Sequence, residues 1–229
     1  MIYAMSDIHG CYEEFLQALE LVDLSGSNKL LLLGDYIHGG VGNYEVLDTI
    51  IKLQWKYGSD KVIALMGNHE EMVIEGRESI NISNYYNYSE KKTNSCNDDY
   101  YIHWMEYLPR YYVEGKTIFV HAGIDEEAED LWELGTDDYT FTEKYPAQIG
   151  KFNYDMKIVA GHVGTAEISN NSGFHEIYFD GESHYYIDGT VVISGKIPVI
   201  AVDTKNDKYY SVTDLGLRII EAYSEEEWR

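Results

Sequence analysis

Three short apolar runs lie in the first third of the chain, and each ends in small or polar residues. They span residues 2–7, 30–35 and 62–68. Short continuous apolar runs bounded by turn residues are typical of strands that are buried on both faces. After the first and second runs, apolar residues recur every three or four positions, which is the spacing of a helix with one buried face. The pattern predicts a β-α-β-α-β order and therefore a mostly parallel sheet covered by helices.

The second half of the chain has a different pattern. Two more apolar strands are predicted at 117–121 and 157–162, on either side of an acidic, partly helical stretch. From residue 174 onward, short β-branched and aromatic runs alternate with turn residues, which predicts antiparallel hairpins. His175 and His184 flank the first of these hairpins and are interpreted as surface or cross-strand residues. The whole pattern predicts an α/β (α+β) fold with mixed sheets, organised as one domain over residues 1–229.

A polar excursion interrupts this order at about 77–100, where Asn, Ser, Tyr, Lys and Asp dominate. One interpretation is a surface loop or a short helical excursion. The other is a cap beside the functional site that selects substrate, because long loops in compact domains are often functional. A helix is predicted to resume at 98–108, before Pro109.

Charge and composition narrow the function classes. The 229 residues include 17 Lys plus Arg and 40 Asp plus Glu, which gives a formal net charge of −23. Such a surface repels phosphate, so neither nucleic acid nor an anionic membrane is expected as a partner. An anionic substrate would need local positive charge, and bound metal is one source of it. The start has no signal-peptide pattern, no run is long enough to cross a bilayer, and the two cysteines are too few for a disulfide scaffold. We therefore expect a cytoplasmic location.

Candidate metal ligands follow five of the predicted strands. They are Asp7, His9, Asp35, Asn68, His69, His121 and His162. The carboxyl ends of parallel strands meet at one edge of a sheet, so these side chains are expected to converge. Mixed oxygen and nitrogen donors suit borderline divalent metals. Asp35 follows the middle strand and is the candidate to bridge two ions.

The same residues resemble, in order, the five motif blocks of the calcineurin-like metallophosphoesterases. The blocks read Asp7-Ile8-His9-Gly10, Gly34-Asp35, Gly67-Asn68-His69-Glu70, His121-Ala122-Gly123 and Gly161-His162. The resemblance runs from Met1 to about Val202. It looks closest to the bacterial PPP-type Ser/Thr protein phosphatases and the related diadenosine tetraphosphatases.

This resemblance implies a four-layer αββα sandwich with a dimetal site at one rim, and hydrolysis of phosphate esters by metal-bound hydroxide. The implied cofactors are two divalent or mixed-valence ions, with Mn, Fe, Zn or Ni all compatible with the donors. The family's general acid maps onto His69, and an imidazole can protonate a leaving ester oxygen near neutral pH. The family's metal ligands map onto Asp7, His9, Asp35, Asn68, His121 and His162.

The second block departs from the family pattern, because His38 and Gly39 stand where the family has Asp and Arg. In the family, that Asp orients the acid His and that Arg binds phosphate. Three interpretations stay open. His38 shares proton transfer or contacts phosphate, while the glycines leave room for a larger substrate. Alternatively, Arg77 or Arg110 binds phosphate instead, or the protein binds metal with little turnover.

We therefore predict a metal-dependent phosphoric ester hydrolase that acts on a phosphorylated small molecule or a phosphoprotein. His69 and His38 are the predicted catalytic residues, and Asn68, Gly39 and Arg77 are predicted to contact substrate. A first alternative is a dinucleoside polyphosphate hydrolase, which needs a surface for base stacking. A second is a catalytically weak metal-binding regulatory module. The candidates for base stacking are Tyr85, Tyr86, Tyr88, Tyr100 and Tyr101.

Overall fold

Two mixed β-sheets packed face to face form the centre of the computed structural model, which describes residues 1–81 and 98–225. The strands are β1 (Ile2–Met5), β2 (Lys29–Leu32), β3 (Val62–Ala64), β4 (Tyr111–Glu114), β5 (Thr117–Val120), β6 (Lys157–Ala160), β7 (Tyr178–Phe179), β8 (His184–Tyr186), β9 (Ile200–Asp203), β10 (Lys208–Thr213) and β11 (Gly216–Ile219). The helices are α1 (Tyr12–Glu20), α2 (Asn43–Tyr57), α3 (Asn68–Ile74), α4 (Asp98–Met105), α5 (Trp132–Gly135), α6 (Asp138–Glu143), α7 (Thr165–Ile168) and α8 (Val191–Ser194), and a 3-10 turn covers Glu126–Leu131.

Each sheet has a parallel interior and antiparallel edges. The first sheet has the order β11-β10-β9-β1-β2-β3, with β1, β2 and β3 parallel. The second has the order β4-β5-β6-β8-β7, with β5, β6 and β8 parallel. The predicted β-α-β-α-β order and the late antiparallel strands are therefore both confirmed.

Both faces of each sheet are apolar, so each sheet packs against the other sheet on one side and against helices or an outer segment on the other. The result is four layers. One face of the first sheet, with Ala4 and Leu31, packs against Phe119 and Val159 of the second sheet. The opposite face of the first sheet packs on α1, α2 and α4. The outer face of the second sheet is covered by the 124–152 segment, which includes α5 and α6. The predicted αββα sandwich is confirmed.

One predicted hairpin strand is a helix instead. The sequence Thr190-Val191-Val192-Ile193-Ser194-Gly195 is rich in β-branched residues, which favours a strand. In the structure Thr190 has a φ of 52° and begins the single turn of α8. The Ser194 hydroxyl donates to the Gly189 carbonyl at 2.7 Å, and Val191 is buried in the core. Tertiary packing thus overrides the local preference.

Other boundaries are close to those predicted. The resumed helix ends at Met105, earlier than the predicted 108, although the chain continues through hydrogen-bonded turns to Leu108. Residues 82–97 of the polar excursion lie outside the described residues. In the described part of the chain, no helix is long and apolar enough to cross a membrane.

Candidate metal centre

The first sheet brings three of the predicted ligand positions to one edge. Met5 of β1 pairs with Leu32 of β2, and Leu32 pairs with Ala64 of β3, so the three parallel strands end at the same level. Asp7 and Asp35 follow their strands within two or three residues, and Asn68 follows β3 as the first residue of α3. Convergence of these side chains is therefore a consequence of strand register.

The second sheet repeats this arrangement with its own parallel strands. His121 follows β5 directly, and His162 follows β6 by two residues. Asp188 follows β8 by the same interval, is 5% exposed, and lies in the electrostatic range of Asp7. We did not predict Asp188 as a site residue, although its position after an apolar strand is the signal that identified the others.

The six predicted ligands lie around Asp35. On one side, His9 Nε2 lies 3.8 Å from both Asp7 Oδ1 and Asp35 Oδ2. On the other side, His121 Nε2 lies 3.4 Å from Asp35 Oδ1. The side-chain oxygen of Asn68 lies 3.0 Å from His121 Nε2 and 3.2 Å from His162 Nδ1.

Two overlapping sets of donors result, with Asp35 common to both. The backbone N–H of His162 donates to Asp7 at 3.1 Å, which joins the two sheets at this point. Donor groups of Asp35 with His9 and His69, and of Asp35 with His121 and His162, each lie within 4.8 Å. The structure thus brings all six side chains together, with Asp35 between the two groups of donors.

The backbone is strained where it presents these ligands. Asp7, His9, Asp35 and His162 have φ values of 55°, 48°, 57° and 65°. This left-handed conformation is unfavourable for residues with a Cβ and accumulates at functional sites.

Close backbone approach supports the strained loops. A Cβ on Gly67 would lie 2.3 Å from Asp35 Oδ1, and one on Gly161 would lie 2.2 Å from Asp7 Oδ2. Glu70 is fully buried and accepts backbone N–H bonds from Asp35 at 2.8 Å and Tyr36 at 2.9 Å. Glu70 is a positioning residue that we did not predict as a site residue.

The buried charges of the centre are not balanced by one another. Burial and the charge of Asp35 raise the pKa of Asp7 to about 7. Burial also acts to raise the pKa of Asp35, but His121 and His69 outweigh it and the net shift is downward. Burial and the neighbouring His121 lower the pKa of His162 to about 4. The centre therefore combines two carboxylates that repel each other with one imidazole, His162, that resists protonation.

The donor chemistry fits a pair of cations. The amide oxygen of Asn68 faces His121 and His162, and the same amide position lies 3.2 Å from both carboxylate oxygens of Asp35. Hydrogen bonding alone would favour the amide nitrogen at this point, because every neighbour can accept. A cation favours the oxygen, since carboxylate, amide oxygen and imidazole nitrogen are then all ligands.

Comparison with known proteins identifies the family. A family model described as calcineurin-like phosphoesterase matches residues 1–195, which is most of the chain. The chain belongs to this family. The symmetrical bis(5'-nucleosyl)-tetraphosphatase of Buchnera aphidicola subsp. Baizongia pistaciae (strain Bp) is 30% identical over 156 residues, or 67% of this chain and 52% of that protein. The phosphoesterase chain thus spans about half the length of the curated relatives it matches.

Solved structures support the same fold. A cold-active protein tyrosine phosphatase aligns with a TM-score of 0.71 and 18% identity, covering 96% of this chain and 78% of that one. A protein serine/threonine phosphatase from Saccharomyces cerevisiae aligns with a TM-score of 0.61 and 15% identity, covering 98% and 80% of the two chains. At these identities the likeness concerns the fold.

His38, which replaces the family Asp in the second block, makes a hydrogen bond to His69. His38 Nδ1 lies 2.8 Å from His69 Nδ1, and His38 Nε2 lies 2.9 Å from the Ser79 carbonyl oxygen. A carbonyl only accepts, so His38 Nε2 must carry a proton and donate it. Neutral His38 then has a bare Nδ1, which accepts the Nδ1–H of His69. The imidazole of His38 thus contacts the predicted acid His.

Asn43 places the 78–80 segment beside His38. Its side-chain oxygen accepts the backbone N–H of His38 at 3.1 Å, and its amide nitrogen donates to the Ile80 carbonyl at 2.8 Å. The carboxylate of Glu78 consequently lies 3.2 Å from His38 Nδ1. These contacts join segments 40 residues apart, so the spacing of the motif blocks could not reveal them.

Gly39 is constrained by its surroundings. Its φ is 144°, and a Cβ would lie 2.9 Å from the Cβ of His9 and 3.0 Å from Val192 Cγ2. An arginine at this position would be strained and would displace its neighbours. Simple restoration of the family residue is therefore not a sound test of function in this chain.

The two candidate arginines have acidic partners. Arg77 forms an ion pair with Glu75, and its side chain is 47% exposed. Arg110 forms ion pairs with Glu71 and Asp138. Neither arginine lines the cavity beside the centre, so its geometry gives no support to the predicted phosphate contact of Arg77.

A cavity of about 720 Å³ opens beside the centre. Its described lining contains no Lys or Arg, and instead has four centre histidines, His175 and two acidic residues. His175 Nδ1 lies 3.1 Å from Thr190 Oγ1, so this predicted surface residue is part of the cavity wall. Val192 and Ile193 of α8 line the same cavity, and Ile193 is 73% exposed. Tyr100 and Tyr101 do not line it, and the other predicted stacking tyrosines lie outside the described residues.

Proposed function

We propose that this phosphoesterase is a metal-dependent hydrolase of dinucleoside polyphosphates. The observation that carries the proposal is the similarity to symmetrical bis(5'-nucleosyl)-tetraphosphatases, at 30% identity over 156 residues in one relative and over 127 residues in another. Our expectation of phosphomonoester or phosphoprotein hydrolysis has weaker support, because the protein phosphatases are related to this chain by fold at 18% identity or less.

The cavity is compatible with a substrate larger than a phosphoryl group. Its volume of about 720 Å³ lies within the range of sites for whole small molecules. Val192 and Ile193 give one wall an apolar surface on which a nucleobase can pack. His9, His38 and His69 also line the cavity and offer polar groups to a phosphate chain.

The centre supplies the ligands for two divalent cations. Asp7 and His9 would hold one, Asn68, His121 and His162 the other, and Asp35 would bridge them. Bound cations would provide the positive charge that the chain lacks near phosphate, and would lower the pKa of a coordinated water.

His69 is positioned to act as the general acid. Its Nδ1–H is held by His38, and in the imidazolium form of His69 a second proton resides on Nε2, which lies 3.7 Å from Asp35 Oδ2. His38 thereby performs the orienting role of the family Asp. The hydrogen bond argues against the alternative of a protein that has lost its catalytic arrangement.

Rates on three substrates test the proposal. We expect the Mn²⁺-loaded protein to hydrolyse diadenosine tetraphosphate with a kcat/KM at least about tenfold above that for a phosphopeptide or p-nitrophenyl phosphate. Ile193→Ser removes part of the apolar wall and should raise KM for the dinucleotide about fivefold, equivalent to roughly 1 kcal/mol, without changing the rate on p-nitrophenyl phosphate.

The matched control is Ile219→Ser. Ile219 is 60% exposed on β11 and does not line the cavity. It should leave KM for both substrates unchanged. A higher kcat/KM on the phosphopeptide would overturn the proposed substrate class, and absence of turnover with every metal and substrate would overturn the enzyme.

A further inference from the structure

A second cluster of metal-binding side chains lies immediately behind His69. His38, His69 and Glu78 each offer one ligand atom, and these atoms lie within 4.8 Å of one another. The cluster is outside the six predicted ligands of the centre. Its members come from the loop after β2, from α3 and from the segment that follows α3.

The hydrogen bonds of His38 prepare its Nδ1 as a ligand. Its Nε2–H is donated to the Ser79 carbonyl, which leaves the Nδ1 lone pair directed at His69 and Glu78. Histidines that bind metal commonly donate their other ring N–H to a backbone carbonyl in this way. The His38 side chain is 1% exposed, so its orientation is fixed by packing.

Glu78 provides the third donor atom, a carboxylate oxygen that lacks a hydrogen-bond partner among the described residues. This atom, Oε2, is buried and lies 3.2 Å from His38 Nδ1. A carboxylate oxygen facing a bare imidazole nitrogen is unfavourable unless a positive charge lies between them. A proton can relieve the repulsion toward only one neighbour, whereas a cation satisfies all three donors at once.

One donor separation matches that around a tetrahedral ion, and the other is shorter. Bonds of about 2.0–2.1 Å place donor atoms roughly 3.3 Å apart in a tetrahedron. The observed separations are 2.8 Å between the two Nδ1 atoms and 3.2 Å between His38 Nδ1 and Glu78 Oε2. Two imidazoles and one carboxylate are a common donor set for Zn²⁺. The Glu78 side chain is 27% exposed, which leaves a route from solvent.

We propose that His38 Nδ1, His69 Nδ1 and Glu78 Oε2 form an additional site for Zn²⁺ or a similar borderline divalent cation. This site uses Nδ1 of His69, whereas Nε2 of the same ring lies 3.7 Å from Asp35 Oδ2 in the two-cation centre. Its occupation replaces the Nδ1 proton that His69 donates to His38, and this proton moves to Nε2 of His69. His69 is then held as a neutral, Nδ1-bound imidazole and cannot form the imidazolium that acts as general acid. Binding at this site therefore inhibits hydrolysis.

Equilibrium dialysis of the full chain tests the site. Protein saturated with Mn²⁺ is titrated with Zn²⁺, and both metals are counted by mass spectrometry. We expect Zn²⁺ uptake beyond the ions bound at the centre, and a dissociation constant for this event that rises about tenfold to a hundredfold in Glu78→Gln. His38→Asn should abolish the same event. Glu75→Gln is the matched control, since Glu75 is a nearby exposed acid paired with Arg77.

Inhibition gives a second readout, with each rate taken relative to the same variant without Zn²⁺. Zn²⁺ should inhibit wild type and Glu75→Gln at concentrations about tenfold below those that inhibit Glu78→Gln. Equal Zn²⁺ affinity in Glu78→Gln and wild type would overturn the proposal, as would the lack of any additional binding event in wild type. Failure of the proposed function would look different, because Mn²⁺ binding or turnover would then be absent before Zn²⁺ is added.

Discussion

Among the described residues, the candidate metal centre and a cluster around His184 both combine buried histidine with carboxylates, and the pKa of the histidine shifts in opposite directions in the two. In the metal centre, His121 and His162 face Asn68 and each other, and the pKa of His162 is lowered by burial and by His121. The second, the His184 cluster, consists of His184, Asp180, Glu126 and Lys144, all in the half of the chain that forms the second sheet.

In the His184 cluster, each ring nitrogen of the histidine has its own carboxylate. His184 Nδ1 lies 2.8 Å from Asp180 Oδ2, and His184 Nε2 lies 3.0 Å from Glu126 Oε1. Burial acts to lower the pKa of His184, but the hydrogen bonds to Asp180 and Glu126 outweigh it and raise the pKa to about 9. In this cluster the negative charges of Asp180 and Glu126 are balanced by His184 and Lys144. In the candidate metal centre, by contrast, the converging donor atoms have no cationic side chain between them among the described residues. On this difference we interpret the His184 cluster as structural and the candidate metal centre as the proposed functional site.

The largest expected effect comes from Asp7→Asn in the metal centre. Loss of one carboxylate ligand should lower kcat/KM at least about a hundredfold with Mn²⁺, because the cation and its positive charge are held less well. When a chelator has removed the metal, the unfolding free energy of this variant should equal or exceed that of wild type. The substitution then removes a buried carboxylate that is repelled by Asp35. Steady-state rates and urea unfolding measure the two quantities. A large loss of stability in chelator would contradict the assignment.

The counterpart in the His184 cluster is Asp180→Asn, with the reverse outcome. Removing one partner of a buried ion pair costs about 3–5 kcal/mol of unfolding free energy. The specific activity of the folded protein should stay at the wild-type level, because Asp180 does not line the cavity. Urea unfolding and rates normalised to the folded fraction check this. A loss of activity at unchanged unfolding free energy would show that the His184 cluster is not purely structural.

The pH dependence of stability sharpens the comparison. The folded pKa of His184 is about 9, above its unfolded value of 6.5, so its stabilising contribution is complete below pH 6.5 and is lost as pH rises through 9. The loss should be on the order of 3 kcal/mol between these limits. Comparison of unfolding curves for wild type and His184→Gln measures it. His103→Gln, which changes a 70% exposed ring, should keep the wild-type profile.

A smaller effect is expected from Lys144→Met. Lys144 Nζ donates to the Ile124 carbonyl at 2.6 Å and lies 3.3 Å from Glu126 Oε1, with its side chain 19% exposed. Loss of this partly buried pair should cost about 1 kcal/mol. Lys52→Met is the control, since the Lys52–Asp48 pair is at the surface and should contribute less than about 0.5 kcal/mol. Equal effects of the two changes would show that the His184 cluster does not depend on Lys144.

The convergence of the candidate ligands was predictable because strand ends are visible in the sequence. Asp35 and His121 each follow an apolar run, and parallel strands deliver their ends to a common edge. The same reasoning applied to β8 would have found Asp188. His184 was predicted to be a surface or cross-strand residue; it does pair with Ile158 of β6, but the surface alternative is wrong, because its two carboxylate partners are supplied by tertiary packing. It is 1% exposed in the structure.

Contacts between distant segments could not be predicted in this way. The partners of His38 arrive from residues 78 and 79, and nothing in the spacing of the motif blocks indicates that approach. The helix at Val191–Ser194 was missed for a related reason, since its β-branched residues favour a strand until the core packing of Val191 is known. Sequence periodicity predicted the layers of the fold, and tertiary contacts determined the environment of the acid His.

Because Asp7 belongs to one sheet and His162 to the other, the spacing of the donor atoms depends on the layer of side chains between the sheets. Leu31, Phe119 and Val159 in that layer are remote from the chemistry, yet their volumes fix how far apart the two sets of loops stand. A bulkier or smaller residue there would alter the gap between donors by a fraction of an ångström. The hydrophobic interior therefore contributes to the geometry of the proposed metal site.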